Sequence, residues 1–445
     1  MPPPQPPNNT TNDDSITTTS AAPPPPVADD QLQSILASAR PFLRGELESV
    51  DENLPRLLAV LRSVGAGECW HKHGSFLDHL LHTYRILKLW GAPDAVCLCG
   101  LFHSAYSNAY VNLAIFDPST GRDVVRAHVG DDAESLIHLF CVVPRHSLIH
   151  DDLLFKYRDE AELREHLSQS EISLRKAKKE KGEFDAGEAW RKKLNSILPR
   201  EGVKVKHIKT GEEIRLSRRV LAVFLLMTMA DFSDQLYGFQ DAMFENSDGR
   251  LEFSGDNYLA LWPGDGMPGL WINSVSRMGA VYSLIVREEE IVEKEMGIRV
   301  SDDATTEMEV ELVVPPVLER CTKVVGTKEQ MEARELYWEA IAGKGSGSSE
   351  LKQAEELLVR SVEKNGVVGE PRVVLAQVYL SGGRFEEAER EAAIGLRLIL
   401  EWGSAWDKRV SWEGWVAWAR ILLMKAKEKF WPNTAWGVSS LGLVR

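Results

Sequence analysis

Three ionisable residues lie in or beside apolar segments, and their chemical types are those of metal ligands. His79 falls on a helical pattern that is apolar on two sides, His103 ends an apolar stretch, and Asp231 directly follows the uncharged run 220–230. A buried carboxylate without a partner is costly, so we expect it to be paired, protonated or bound to metal. Imidazole nitrogens and a carboxylate from three central helices therefore predict one site for a divalent Mn, Fe, Mg or Zn ion.

Each of these residues also has an ordinary structural interpretation. A buried histidine is more often a hydrogen-bonded core residue than a ligand, and Asp231 could cap a helix or bond a neighbouring one. Ser104 follows His103 and is at best a ligand through a water molecule, whereas His82 lies nearer the polar edge of its helix. The distances decide between these hypotheses. Ligand atoms must lie within about 4 Å of one another, because metal bonds to N and O are near 2 Å.

Four apolar helices are predicted to position these residues. Ser75 is a plausible N-cap for a helix that runs to about Trp90 and stops at Gly91. Residues 95–104 are apolar on every side, which is typical of a central helix in a bundle. The spacing of apolar residues predicts two further helices, over 131–142 and 218–236.

The segment between the last two helices is predicted to be an insertion. Residues 158–195 are highly charged, which favours an exposed helical excursion, and residues 203–216 alternate around Thr210-Gly211 as in a β-hairpin. Residues 264–269 are rich in glycine, but no strand precedes them and no phosphate-loop lysine follows, so they predict a turn. A helix is then expected over about 274–293.

A repeat signal marks the C-terminal part of the chain. Ala354 and Ala388 are 34 residues apart, which is the tetratricopeptide period. The second copy is the clearest and contains Leu375, Ala376, Tyr379, Gly382, Phe385, Ala388 and Ala392. The third copy, 412–426, is degenerate and rich in tryptophan. Core is favoured over an interaction surface for the tryptophans of this region, which are Trp402, Trp406, Trp412, Trp415 and Trp418. Residues 329–445 are therefore expected to bind a protein partner.

Composition excludes several classes of protein. The net charge is −14, which argues against nucleic acid as a partner, and no apolar run is long enough to cross a membrane. Cys97 and Cys99 lie in an apolar run and predict buried core rather than a metal site, since no second cysteine pair exists. Residues 1–30 are rich in Pro, Asn and Thr, predict a disordered head and lack a secretory or transit signal. A reducing, cytoplasmic location is expected.

The order of these segments resembles that of the HD metal-dependent phosphohydrolases, in particular alarmone hydrolases of the RelA/SpoT type. In that family a histidine precedes an LLHD motif, and here His79 precedes the segment GLFHS at 100–104 by a similar interval. Residues 128–137 resemble the family's FG-x-x-V-A-x-L-V helix, and residues 229–236 resemble its L-A-D-R-L-H-N helix, whose aspartate is the last ligand. The resemblance covers about residues 79–240. It implies metal ligation by His79, His103 and Asp231.

Two departures from that family bear on catalysis. Ser104 replaces the aspartate of the His-Asp pair, and Ser107 and Asn108 replace the acidic pair that follows it. The resemblance therefore implies a weaker metal site without its usual general base, and the catalytic residues are unknown. The phrase GLFHSAYSN, at 100–108, is instead similar to an uncharacterised family of plant proteins. These combine an HD-like domain of unknown function with a tetratricopeptide-like tail.

The predicted fold is mainly α. An HD-like helical bundle over 31–298 carries the small β-hairpin within an insertion at about 150–215, a linker follows over 299–328, and a tetratricopeptide-like module occupies 329–445. The predicted function is a protein-interaction scaffold or a weak metal-dependent phosphohydrolase acting on a nucleotide or other phosphoester. The alternative is a nucleotide-binding sensor without catalysis.

Overall fold

The architecture was analysed in a computed structural model. It describes residues 29–71, 74–107, 114–117, 121–145, 147–157, 159–179, 181–235, 271–297, 310–321, 327–342, 348–408 and 410–432. These residues are mainly helical, and two small antiparallel strand pairs accompany the helices. The glycine-rich turn at 264–269, most of the predicted linker and residues 1–28 of the predicted head lie outside the described residues. The prediction of disorder is wrong for Asp29 and Asp30, which begin a helix.

The N-terminal part contains four α-helices, a short 3₁₀ helix at Leu47–Ser49 and one short strand pair. Its elements are α1 (Asp29–Arg44), α2 (Leu54–Ser63), β1 (Trp70–His71), β2 (Gly74–Ser75), α3 (Phe76–Leu89) and α4 (Asp94–Phe102). As predicted, Ser75 caps α3 by accepting a hydrogen bond from the Asp78 N–H. Gly91 follows α3 with a positive φ of 75°, which a glycine adopts without steric cost. The β1–β2 pair was not predicted.

The middle of the chain contains the predicted insertion between two core helices. Its elements are α5 (Gly121–Val129), α6 (Asp131–Val142), α7 (Glu160–Ala177), α8 (Ala189–Ile197), β3 (Val203–Lys206) and β4 (Glu213–Leu216), with short helical turns at Ser147–Asp151 and Leu154–Tyr157. The predicted hairpin is confirmed, with Val203 paired to Leu216. The predicted exposure of 158–195 is wrong in part. Trp190 and Arg191 are buried, because this segment packs on the later helix at 271–296.

One long helix of the structure is almost entirely buried. Helix α9 (Arg218–Gln235) is buried at every position from 220 to 234, and α10 (Trp271–Met296) packs along it. Such a helix has neighbours on all sides. Within the described ranges, no helix has both the length and the apolar character needed to cross a bilayer.

The C-terminal part consists of six helices, and from Thr327 onward each packs on the next in sequence. They are α11 (Pro316–Cys321), α12 (Thr327–Ala342), α13 (Ser348–Lys364), α14 (Glu370–Ser381), α15 (Phe385–Trp402) and α16 (Trp412–Lys427). Ala388 and Ala392 are fully buried where α15 meets its partners. The core interpretation of the tryptophans is confirmed for Trp402, Trp406, Trp412 and Trp415, while Trp418 is half-buried.

These C-terminal helices pack directly on the N-terminal ones. Helix α15 contacts both α1 and α3, and the Trp90 indole N–H donates to the Glu401 carbonyl at 3.1 Å. Inside the predicted linker, α11 packs on α10 and buries Val317 and Leu318. The domain boundaries given by the sequence remain predictions.

Candidate metal centre

Three helices bring the predicted ligands together. His79 is in the first turns of α3, His103 follows the last residue of α4, and Asp231 is in the last turn of α9. Gly100 allows α4 to approach α3 closely, since a Cβ at this position would lie 2.4 Å from Leu87 Cδ1. Helix α9 packs against both α3 and α4. All three ligand candidates consequently point into one junction.

The polar atoms of these side chains lie within mutual reach of a single ion. His79 Nε2 is 3.4 Å from His103 Nε2 and 3.1 Å from Asp231 Oδ1, and His103 Nε2 is 3.9 Å from the same oxygen. Each side chain is at least nine-tenths buried. The ligand atoms meet the distance criterion that the sequence analysis set, so this group could hold a metal ion.

The second ring nitrogen, Nδ1, of both His79 and His103 is hydrogen-bonded to an acceptor. His79 Nδ1 donates to Asp234 Oδ2 at 2.8 Å, and His103 Nδ1 donates to the Gly100 carbonyl at 2.8 Å. Such bonds fix the ring orientation and leave Nε2 as the atom that faces the centre. Carboxylate–histidine and carbonyl–histidine pairs of this kind accompany most metal-ligating histidines.

Asp234 is a residue of the candidate site that the sequence analysis missed. Its second oxygen, Oδ1, contacts His82 Nδ1 at 3.1 Å, so one buried carboxylate orients two histidines of α3. His82 is about one-third exposed and is not part of the group that could hold a metal ion. The spacing Asp231-x-x-Asp234 puts both carboxylates on one face of α9 and was the available signal.

The charges of the site are set by competition between burial and hydrogen bonding. Burial opposes charge on His79, but the hydrogen bonds with Asp231 and Asp234 outweigh it and raise the His79 pKa to about 9. Burial lowers the pKa of His103 to about 4, which the charge of Asp231 offsets only in part. Burial acts to raise the pKa of Asp231, yet its bond with His79 brings it to about 2. Without metal, His79 therefore carries a proton on each ring nitrogen at neutral pH, and it donates one to Asp234 and the other to Asp231.

Aromatic side chains close the site on two sides. The Phe76 ring stacks on His79 with centroids 6.1 Å apart, and Phe140 meets the His103 ring edge-on at 6.3 Å. Ser104 and Ser107 are buried nearby, whereas Asn108 lies outside the described residues. Ligation through water by Ser104 remains a prediction. Apolar walls of this kind limit the access of water and strengthen electrostatic interactions inside.

A cavity of about 890 Å³ lies elsewhere, between the β3–β4 hairpin, α8 and the turns at 147–157. Lys156, Lys193 and Arg215 are among its lining residues, and none of the three predicted ligands is. The candidate chemistry is therefore separate from this cavity.

The sequence comparison with protein families gives one match. Residues 60–145 match a domain of unknown function, DUF6817. The match includes His79 and His103 and ends before Asp231 and Asp234. No curated protein and no solved structure matches the chain. Part of the candidate site thus lies in a shared domain to which no activity is attached.

Proposed function

We propose that this protein binds one divalent metal ion through His79, His103 and Asp231 and acts as a weak, HD-like metal-dependent phosphohydrolase. The observation that supports this proposal is the convergence of two Nε2 atoms and a carboxylate at 3.1–3.9 Å in a buried site. Three protein ligands leave coordination positions for a substrate or water, as in catalytic sites.

The residues present fit a metal ion because each Nδ1 atom already has an acceptor. Asp234 and the Gly100 carbonyl hold the two rings in place, so neither Nε2 is needed for that purpose. A bound divalent ion would polarise a phosphoryl oxygen and lower the pKa of a water molecule. His79, His103 and Asp231 would hold it, and the rings of Phe76 and Phe140 would keep bulk water away.

Activity is expected to be weak because the described part of the chain offers no separate carboxylate to accept a proton. Ser104 stands beside His103 in place of an acid, and both oxygens of Asp234 are engaged by His79 and His82. General bases contribute about 10²- to 10⁴-fold to such reactions. A nucleotide-binding sensor, which binds the phosphoester without cleaving it, is the alternative consistent with the same geometry.

Metal analysis of full-length protein purified without chelator tests the proposal. We expect about one equivalent of divalent metal, which His103→Ala removes and His138→Ala retains. His138 is a half-buried histidine outside the site and serves as the matched control. Hydrolysis of bis(p-nitrophenyl) phosphate with Mn²⁺ should likewise be lost in His103→Ala and retained in His138→Ala. Protein that stays empty after dialysis against Mn²⁺, Fe²⁺, Zn²⁺ and Mg²⁺ would contradict the proposal.

The second candidate function is a scaffold that binds a protein through tetratricopeptide-like helix pairs at 329–445. The packing of α12 to α16 favours it, together with a cavity of about 300 Å³ lined by Leu351, Tyr379 and Arg384. Capture of a specific partner by the full chain should fail with Leu351→Arg. Val410→Arg, at an exposed position outside this cavity, is the control and should leave capture unchanged. Equal capture by both variants would contradict the assignment of this cavity as the partner-binding site.

A further inference from the structure

A loop between two of the C-terminal helices contacts the end of α9, the helix that carries Asp231 and Asp234. We call residues 403–408, between α15 and α16, the clamp loop. The Ser404 hydroxyl donates to the Ser233 carbonyl at 2.6 Å, and Lys408 Nζ donates to the same oxygen at 2.5 Å. Ser233 lies between Asp231 and Asp234 in the last turn of α9. The Ser233 carbonyl therefore accepts hydrogen bonds from two donors of the clamp loop.

The clamp loop also contacts the helix that carries His79. Arg85, less than two turns after His79 on α3, donates from Nε to the Gly403 carbonyl at 3.2 Å. The same guanidinium pairs with Glu413 at 2.5 Å and lies 4.4 Å above the Trp412 ring. Arg85 is nearly fully buried, and its hydrogen bond with the Gly403 carbonyl is made away from water, where such bonds are stronger.

The backbone of the clamp loop rests directly on α3 at Gly403. This residue has a positive φ of 65°, and a Cβ added to it would lie 3.2 Å from Ile86 Cα. Only glycine combines that conformation with so close an approach at no steric cost. The loop is therefore packed against α3 as well as hydrogen-bonded to it.

The helices of the C-terminal part hold the clamp loop from its other side. The buried Glu370 carboxylate accepts from the Trp406 N–H at 2.6 Å. The Tyr337 hydroxyl donates to Asp407 at 2.9 Å, and the Trp415 indole donates to the Asp407 carbonyl at 2.9 Å. Helices α12, α14 and α16 thus fix a loop that in turn touches α3 and α9.

We infer that the clamp loop is a positioning element of the metal centre, so that metal binding and the docking of the C-terminal helices are energetically coupled. The coupling rests on the proposed metal site. Loop contacts hold α3 and α9 at the separation that brings His79, Asp231 and Asp234 together. By thermodynamic reciprocity, loss of these contacts weakens metal binding by the same factor by which metal stabilises the docked loop.

The test compares clamp variants of the full chain with matched controls. Ser404→Ala and Lys408→Met should each weaken Mn²⁺ or Zn²⁺ affinity by about tenfold, as the loss of supporting contacts around a metal site does. Ser404→Thr and Lys408→Arg retain the donors and should restore affinity. Ser361→Ala is the matched control, because Ser361 also donates from a buried hydroxyl to a backbone carbonyl, that of Ala333. Lys425→Met is the control for the lysine.

A metal-free measurement separates this inference from the proposed function. In hydrogen exchange without metal, amides at the ends of α3 and α9 should exchange faster in the two clamp variants than in the controls. Faster exchange in a protein that binds no metal would support the clamp and overturn the metal site. Unchanged exchange, or metal affinity equal to that of the controls, would overturn the clamp inference itself.

Discussion

Two carboxylates one turn apart on α9 have different tasks at the candidate centre. Asp231 faces both Nε2 atoms, whereas Asp234 lies behind His79 and fixes its ring. The place of Asp231 could be predicted, because a carboxylate that ends an uncharged run must find a partner when buried. Asp234 could not be predicted as easily. A charged residue near the end of a helix is usually solvated, and its partners His79 and His82 are more than 150 residues away.

The role of Asp234 predicts a loss of metal affinity on substitution. Asp234→Asn removes the charge that orients His79, and changes of this kind cost about 10- to 100-fold in affinity. Titration with Zn²⁺ against a competing chelator measures the effect. Asp94→Asn, which removes an exposed carboxylate paired with Lys88 at the start of α4, is the control. Equal affinities of the two variants would contradict an orienting role.

The raised pKa of His79 predicts that metal binding strengthens with pH. A metal ion binds neutral imidazole, so it must displace the proton that the aspartates hold on His79 up to about pH 9. Affinity should therefore rise by about tenfold for each pH unit between 6 and 8. His103, with a pKa of about 4, is already neutral there and adds nothing. Calorimetric titrations over this range measure the slope, and a flat profile would contradict the account.

The elements around the site follow from sequence to different degrees. Helix α6 and the hairpin at 203–216 have the predicted bounds, because capping, glycine placement and alternation act locally. Burial of the segment 158–195 could not be read in the same way. The many charged residues of this segment obscure the apolar face of each helix in the sequence. Arg191 can be buried because it forms an ion pair with Glu288 of α10 at 2.6 Å. That contact joins elements far apart in the chain.

The close approach of α3 and α4 predicts a stability cost at Gly100. Gly100→Ala would place a Cβ 2.4 Å from Leu87 Cδ1, so the helices must shift or Leu87 must change rotamer. Overpacking of this kind costs about 1–3 kcal/mol in the free energy of unfolding. Denaturant unfolding measures it. At Gly67 the nearest atom is at an ordinary 3.8 Å, so Gly67→Ala should be tolerated, and equal stability of both variants would contradict the packing.

At the scale of the whole molecule, the N-terminal and C-terminal helices share contacts that no periodic pattern could reveal. Ser404 and Ser233 are 171 residues apart, and neither residue type is distinctive. The sequence predicted helix pairs at the C-terminus from a 34-residue spacing, since repeats are a local signal. The sequence analysis placed these helices in a separate module that follows a linker. The contacts at Arg85, Trp90 and Glu401 instead place them against the helices that form the site.

This packing predicts one cooperative unfolding transition for the full chain. The two parts bury side chains against each other, so neither should melt while the other remains folded. Scanning calorimetry should give a van't Hoff enthalpy equal to the calorimetric one. Two resolved transitions would instead support independent domains joined by a linker.

Anomalous diffraction from crystals of the full chain grown with Mn²⁺ tests the metal centre most directly. We predict a single peak about 2 Å from His79 Nε2, His103 Nε2 and a carboxylate oxygen of Asp231. Asp234 should remain bonded to His79 Nδ1. The absence of a peak at this junction, with His79 and Asp231 still hydrogen-bonded to each other, would contradict the account.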